Sequence, residues 1–177
     1  MTRPDSGRGL PKTVPHVDTL ERSSSDGPWT TKSGSKLLVN LKLSLPEIET
    51  QFSYIQEELD ILPGDIRGFR ICTNRGMPKG SVGGNEFHRI RQELFVLLDG
   101  VLKIISEDLY GNTRVEILNP GERLSMVPYI MHTVEAMEDE TGFLETANTL
   151  FIPENPLTHD TYSREEFDRL KLMVASR

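Results

Sequence analysis

The stretch Gly80-Ser81-Val82-Gly83-Gly84-Asn85-Glu86-Phe87-His88-Arg89-Ile90-Arg91-Gln92-Glu93-Leu94-Phe95-Val96-Leu97-Leu98-Asp99-Gly100 holds the densest chemistry of the chain. Glu86 and His88 stand two apart, a spacing that puts both side chains on one face of a strand. Glu93 opens an apolar run, and a turn between the two strands would bring it beside that pair. The run closes at Asp99-Gly100, a hairpin dipeptide, and Val101 to Ser106 reads as the returning strand.

The same rhythm extends outward. Ile66 to Thr73, Arg114 to Leu118, Arg123 to Val127, His132 to Ala136 and Phe143 to Ile152 are short strand-like runs separated by Gly, Pro, Asn and Asp. Turn signals at intervals of about ten residues predict an all-β sandwich or barrel rather than βαβ units. Upstream, residues 36–45 read as a strand that alternates from Val39 and stops at Pro46. Ile48, Phe52, Ile55 and Leu59 follow at helical spacing up to the Pro63-Gly64-Asp65 turn. Downstream, residues 163–174 read as a helix with an apolar stripe of Phe167, Leu170 and Val174. Ser163 and Glu166 there have the spacing of a capping box.

Of the 177 residues, 36% are hydrophobic, and the shortfall against ordinary globular chains sits in residues 1–34. That segment is rich in Ser, Gly, Pro and charge, and it is expected to be a disordered tail. Trp29 is the exception, a candidate to dock on the domain or on a second subunit. The expected division is tail 1–34, a strand and short helix over 35–62, a barrel over 63–160 and a C-terminal helix over 161–177. A strand near Leu37 to Leu45 could be exchanged in a homodimer.

A net charge of −7 disfavours nucleic acid and anionic membrane as partners. No apolar run approaches the roughly 20 residues of a membrane span, and the N-terminus lacks the apolar core of a secretory signal. The lone Cys72 excludes an intrachain disulfide and fits a reducing cytoplasm. Within its apolar run Cys72 reads as a small buried hydrophobe, and His16 and His159 read as surface residues.

Two His and two Glu converging inside a barrel (Glu86, His88, Glu93 and, much later, His132) suit Mn, Fe, Ni or Zn. The spacing resembles the first motif of the cupin superfamily (RmlC-like jelly rolls). That motif runs Gly, five residues, His-x-His, three or four residues, Glu, six residues, Gly. Gly80, Glu86, His88, Glu93 and Gly100 stand at those places, with Glu86 where cupins usually carry the first His. Gly121 to His132 resembles the second motif, with Pro128 one place late and Ala136 in place of its Asn. The resemblance implies a small cupin barrel with Glu86, His88, Glu93 and His132 at the divalent-metal positions. Asn148 to Pro156, followed by Asp160-Thr161-Tyr162 and Glu166-Phe167, is similar to the exit strand and tail of cupins from sugar-nucleotide and polysaccharide pathways. Those include 3,4-ketoisomerases and 3,5-epimerases.

This implies an isomerase or epimerase acting on a sugar or small polar organic acid. His88 or His132 would be the base, Tyr129 or Tyr162 a proton donor, and a metal the Lewis acid. Arg70, Arg75 and Tyr162 are the expected substrate contacts, with Arg67 as a further candidate. Arg89 and Arg91 alternate with His88, so on a regular strand they point away from it. A metal-dependent oxygenase or lyase, and a metabolite-binding module without catalysis, are the other function classes this set of residues allows.

Overall fold

The computed structural model describes residues 9–24, 29–37 and 67–176. The elements are β1 (Arg22–Ser24), β2 (Trp29–Thr30), β3 (Lys36–Leu37), β4 (Arg67–Met77), β5 (Val82–Phe87), β6 (Glu93–Asp99), β7 (Leu102–Glu107), β8 (Thr113–Leu118), β9 (Glu122–Met126), β10 (Met131–Ala136), β11 (Thr141–Thr149), β12 (Tyr162–Ser163) and a helix, α1 (Arg164–Ala175). The helix expected over residues 47–59 and most of the strand expected over 36–45 lie outside the described residues. Lys36 and Leu37 pair with Thr30 and Trp29 in a two-stranded ribbon, where Trp29 is exposed.

Two five-stranded antiparallel sheets face each other, ordered β1-β9-β6-β11-β4 and β12-β5-β10-β7-β8. This is the two-sheet sandwich expected from the turn spacing, in the jelly-roll form that the resemblance implies. One detail differs. β6 pairs with β9 and β11, whereas β7 pairs with β10 and β8, so Asp99-Gly100 is not a hairpin turn. It carries the chain from the first sheet to the second. The glycine is still required there: Gly100 has φ +74°, and a Cβ would stand 2.4 Å from Thr141 Oγ1. What decides the pairing is burial. Leu94 and Val96 on the outer face of β6 pack with Phe69 and Leu144, while Phe95 and Leu97 face the barrel, so both faces of β6 are covered.

The interior is graded along the strands. At one end Leu97, Leu102, Ile104, Leu118, Leu124, Val134 and Phe143 form an apolar core. Successive inward positions are Leu97, Phe95 and Glu93 on β6, and Val134 and His132 on β10, so the other end turns polar. Phe95 meets the His132 ring edge-on at 5.8 Å where the two halves join.

Residues 9–24, expected within a loose tail, instead lie along the barrel. Val14, Val17 and Leu20 are buried, and β1 extends the first sheet beside β9. Their few apolar side chains fall where the β8 and β9 edges leave the core uncovered. Arg114 then donates to the Val17 and Leu20 carbonyls, and buried Asp108 accepts from Val17 N. His16 stacks on Tyr110 and lies 3.4 Å from Asp108.

α1 covers the outer face of the second sheet. Phe167 and Leu170 pack with Phe87, Leu109, Tyr129, Met131 and Tyr162 in a second cluster. Ser163 occupies the N-cap position without a side-chain capping bond, so the expected capping box is not formed. Glu166 instead accepts from Arg89 and Arg169. Among the described residues no helix is long and apolar enough to cross a membrane.

Candidate functional site

Glu93 begins β6 and is fixed by its neighbours, because Gln92 N donates to buried Asn148 on β11. From there its carboxylate crosses to the second sheet. Oε1 lies 3.1 Å from His88 Nε2 and Oε2 3.3 Å from His132 Nε2. All three side chains are about 3% exposed.

His132 stands opposite Glu86 in the β10–β5 ladder, at the point where a bulge shifts the register. Gly84 makes that bulge possible. It has φ +80°, and a Cβ would sit 2.9 Å from the His132 carbonyl oxygen. His88 follows the end of β5, beyond the regular strand. Each imidazole turns Nδ1 toward a backbone carbonyl, His88 to Asp160 at 2.5 Å and His132 to Ile130 at 3.2 Å. Carbonyls only accept, so Nδ1 carries the proton in both rings and Nε2 faces Glu93. The ring centroids are 5.4 Å apart.

Two guanidinium groups complete the surroundings of Glu93. Arg70 Nη2 lies 3.6 Å and Arg91 Nη1 3.5 Å from the same Oε1 that faces His88. Arg70 also binds Glu145 at 2.6 Å. Burial pushes the Glu93 carboxyl up, but the electrostatic attraction of His88 and the hydrogen bond of His132 outweigh it and hold Glu93 well below the usual carboxylate range. For His132, burial lowers the pKa, and the hydrogen bond and charge of Glu93 more than reverse this, so it is raised. Glu145 moves upward through burial and the nearby charge of Glu93, opposed by Arg70.

Glu86, His88 and His132 offer ligand atoms that all lie within 4.8 Å of one another. His88 Nε2 is buried without a hydrogen-bond partner despite its approach to Glu93. Together with Glu93, these residues are brought to one place from three separate segments of the chain.

The other expected site residues divide. Arg70 reaches the site. Arg75 is exposed and lines a groove with Asp99, Asp139 and Glu140 near the other end of β4. Tyr129 and Tyr162 lie in the cluster beneath α1, on the far face of the second sheet from Glu93. Tyr129 OH points toward the Gly9 carbonyl, and the Tyr162 ring packs at a tilt against Phe87 and lies under Arg89. Tyr129 sits in a turn with φ +62°, outside any regular strand. Arg91 reverses its expected direction for the same reason: residues 88–92 are irregular, so alternation from His88 does not hold. Arg89 does point away, to Glu166. Glu145, Asn148 and Asp160 were not legible as site residues, although Asn148 and Asp160 lie within the C-terminal stretch whose resemblance singled it out.

No family model and no curated protein matches the chain. Among solved structures, it is similar to a 3,4-ketoisomerase from Helicobacter canadensis, with 16% identity, a TM-score of 0.56, and 87% of this chain and 98% of that one covered. It is similar to the sugar 3,4-ketoisomerase QdtA from Thermoanaerobacterium thermosaccharolyticum in complex with TDP, with 16% identity, a TM-score of 0.58, and 89% and 98% covered. It is similar also to WlaRA, a TDP-fucose-3,4-ketoisomerase from Campylobacter jejuni, with 17% identity, a TM-score of 0.57, and 89% and 98% covered. At such identities the likeness establishes the fold, a two-sheet jelly roll, along nearly the whole of each neighbour.

Proposed function

We propose that this cupin barrel is an enzyme that moves a proton beside the carbonyl of a sugar or small polar organic acid, as an isomerase or epimerase does. One observation carries the reading: the single carboxylate of Glu93 is held between two buried imidazole Nε2 atoms, at 3.1 and 3.3 Å. Isomerising a keto sugar needs a base, an acid and a counter-charge for the enediolate. Glu93 stabilises a proton on either Nε2, so one ring accepts a proton while the other releases one. Both rings keep Nδ1–H fixed on a carbonyl, which confines the exchange to Nε2. Arg70 and Arg91 supply positive charge on the same carboxylate oxygen and would favour a developing oxyanion nearby. The fold likeness to ketoisomerases of TDP-linked sugars supports a sugar as the substrate class.

The donor set also fits a divalent ion, because His88 Nε2 is a buried nitrogen without a hydrogen-bond partner and lies within ligand spacing of Glu86 and His132. Glu93 would be the fourth ligand. Two imidazoles and two carboxylates suit Mn, Fe, Ni or Zn, and the second carboxylate favours the harder ions. When bound, such an ion would supply Lewis-acid polarisation of the substrate carbonyl. Both Nε2 atoms would then be neutral ligands.

The test is deuterium incorporation. TDP-linked keto sugars are incubated with the protein in D2O, with and without added Mn2+ or Zn2+, and followed by proton NMR. Exchange at the carbon beside the carbonyl is expected, and Glu93→Gln abolishes it. Saturable binding with no exchange under any condition would make the protein a binding module and overturn the reading.

A further inference from the structure

His88 belongs to no strand ladder. β5 ends at Phe87 and β6 begins at Glu93, so the intervening turn needs another anchor. Asp160, 2% exposed, supplies it from far along the chain. Its Oδ1 accepts from Arg89 N at 3.1 Å, and its Oδ2 from Ile90 N at 2.9 Å and Arg91 N at 2.7 Å. Three successive amides converging on one carboxylate form an anion-binding concavity, filled here by the protein's own side chain. The Asp160 carbonyl accepts from His88 Nδ1 at 2.5 Å. One residue therefore holds both the backbone of the turn and the tautomer of the ring. The clamp has an outer jaw as well, since Arg89 is paired with Glu166 on α1 and lies over the Tyr162 ring. Asp160 follows the short 3-10 turn Pro156–Thr158, where Thr158 Oγ1 accepts from Ile152 N and donates to the Asn155 carbonyl.

We infer that Asp160 is the positioning residue of the site: its carboxylate, seated in the amide concavity of residues 89–91, presents His88 Nε2 to Glu93 and to whatever the site binds. The turn also delivers Arg91, whose side chain stands beside Glu93. Loss of the carboxylate therefore loosens an imidazole and a guanidinium together, while His132, held on β10, keeps its place. The inference rests on the proposed reading for what His88 does, but not for how His88 is held.

The test uses the full chain, isotopically labelled, in wild-type, Asp160→Ala and Asp160→Asn forms. Nitrogen-15 NMR reads the His88 tautomer, amide exchange reads Arg89, Ile90 and Arg91, and calorimetric titration with Mn2+ reads affinity. In the wild type His88 is expected as the Nδ1–H form with all three amides protected. In Asp160→Ala the three amides lose protection, His88 becomes a tautomer mixture, and Mn2+ affinity falls by roughly tenfold or more, in the range of lost support to a metal ligand. Added formate, small enough for the vacated concavity, restores both signals, and chloride does not. If Asp160→Ala fails to fold, Asp160→Asn, which keeps the shape and one acceptor, carries the same readouts with a partial loss. Unchanged His88 tautomer and amide protection in the folded variants overturn the inference. Wild-type protein that binds no Mn2+ but shows the tautomer and its dependence on Asp160 would count against the metal alone and leave the clamp standing.

Discussion

Glu93 and His132 meet across the barrel, one on each sheet, with Oε2 and Nε2 3.3 Å apart. Their contact is a bridge between the two layers, and the guanidinium groups of Arg70 and Arg91 and the His88 ring crowd onto the other oxygen of the same carboxylate. The barrel is thus tied together at its polar end by the group that the chemistry needs.

Glu93→Gln removes the one charge common to four partners and leaves the buried Arg91 guanidinium without its carboxylate, while Arg70 keeps Glu145. Breaking such a pair by removing one member costs about 3–5 kcal/mol. Urea unfolding should show that loss, with the raised His132 pKa falling back in an NMR titration.

The same contact sets a pH window. The Glu93 pKa is depressed in the fold, so its contribution is complete above the ordinary carboxylate value of about 4.3 and is lost as pH falls through the folded pKa. The His132 pKa is raised, so its contribution is complete below about 6.5 and is lost as pH rises through the folded pKa. Metal-free protein should therefore be most stable to urea between those values. In Glu93→Gln the decline on the alkaline side should disappear.

Gly84→Ala should place a methyl group 2.9 Å from the His132 carbonyl oxygen at φ +80°. Backbone is what it would strike, so no side chain can swing aside. A cost of about 1–3 kcal/mol is expected in denaturant unfolding, together with shifted His132 ring resonances.

Leu20→Ala tests whether residues 9–24 are part of the folded core. Leu20 is 4% exposed and packs into the apolar half of the barrel. The expected loss is about 2–5 kcal/mol in urea unfolding, whereas a side chain in a loose tail would cost nothing measurable.

Glu107 on β7 anchors α1 through Arg164 and Lys171. Burial raises its carboxyl pKa, and the hydrogen bonds of Lys171 and Arg164 bring it down overall. Its support of the helix is therefore present above the ordinary Glu value and fades as pH falls through the depressed one. Glu107→Gln should speed amide exchange along α1 at neutral pH and leave the core of the first sheet unchanged.

Much of the fold could be read from the chain because strands and turns are local events. Short apolar runs bounded by turn residues mark β6 through β11, and Gly100 lies at a turn where φ is positive. The spacing from Gly80 to Gly100 also nominated Glu86, His88 and Glu93, which the structure does bring together with His132. The Val14, Val17 and Leu20 segment was missed because three apolar residues among many polar ones give no periodic signal.

What the sequence determined by itself was therefore the set of strands and the residue types gathered at the polar end. Only the tertiary structure decided that β6 and β7 belong to opposite sheets, so that Glu93 faces the histidines across the interior instead of sitting beside them. It also decided that Arg91 turns inward, that Tyr129 and Tyr162 pack under α1, and that Asp160 returns to hold His88. The reason is physical. Alternation fixes direction only while a strand stays regular, and residues 88–92 are not regular. Their conformation is set by a carboxylate that reaches them only when the chain has folded back.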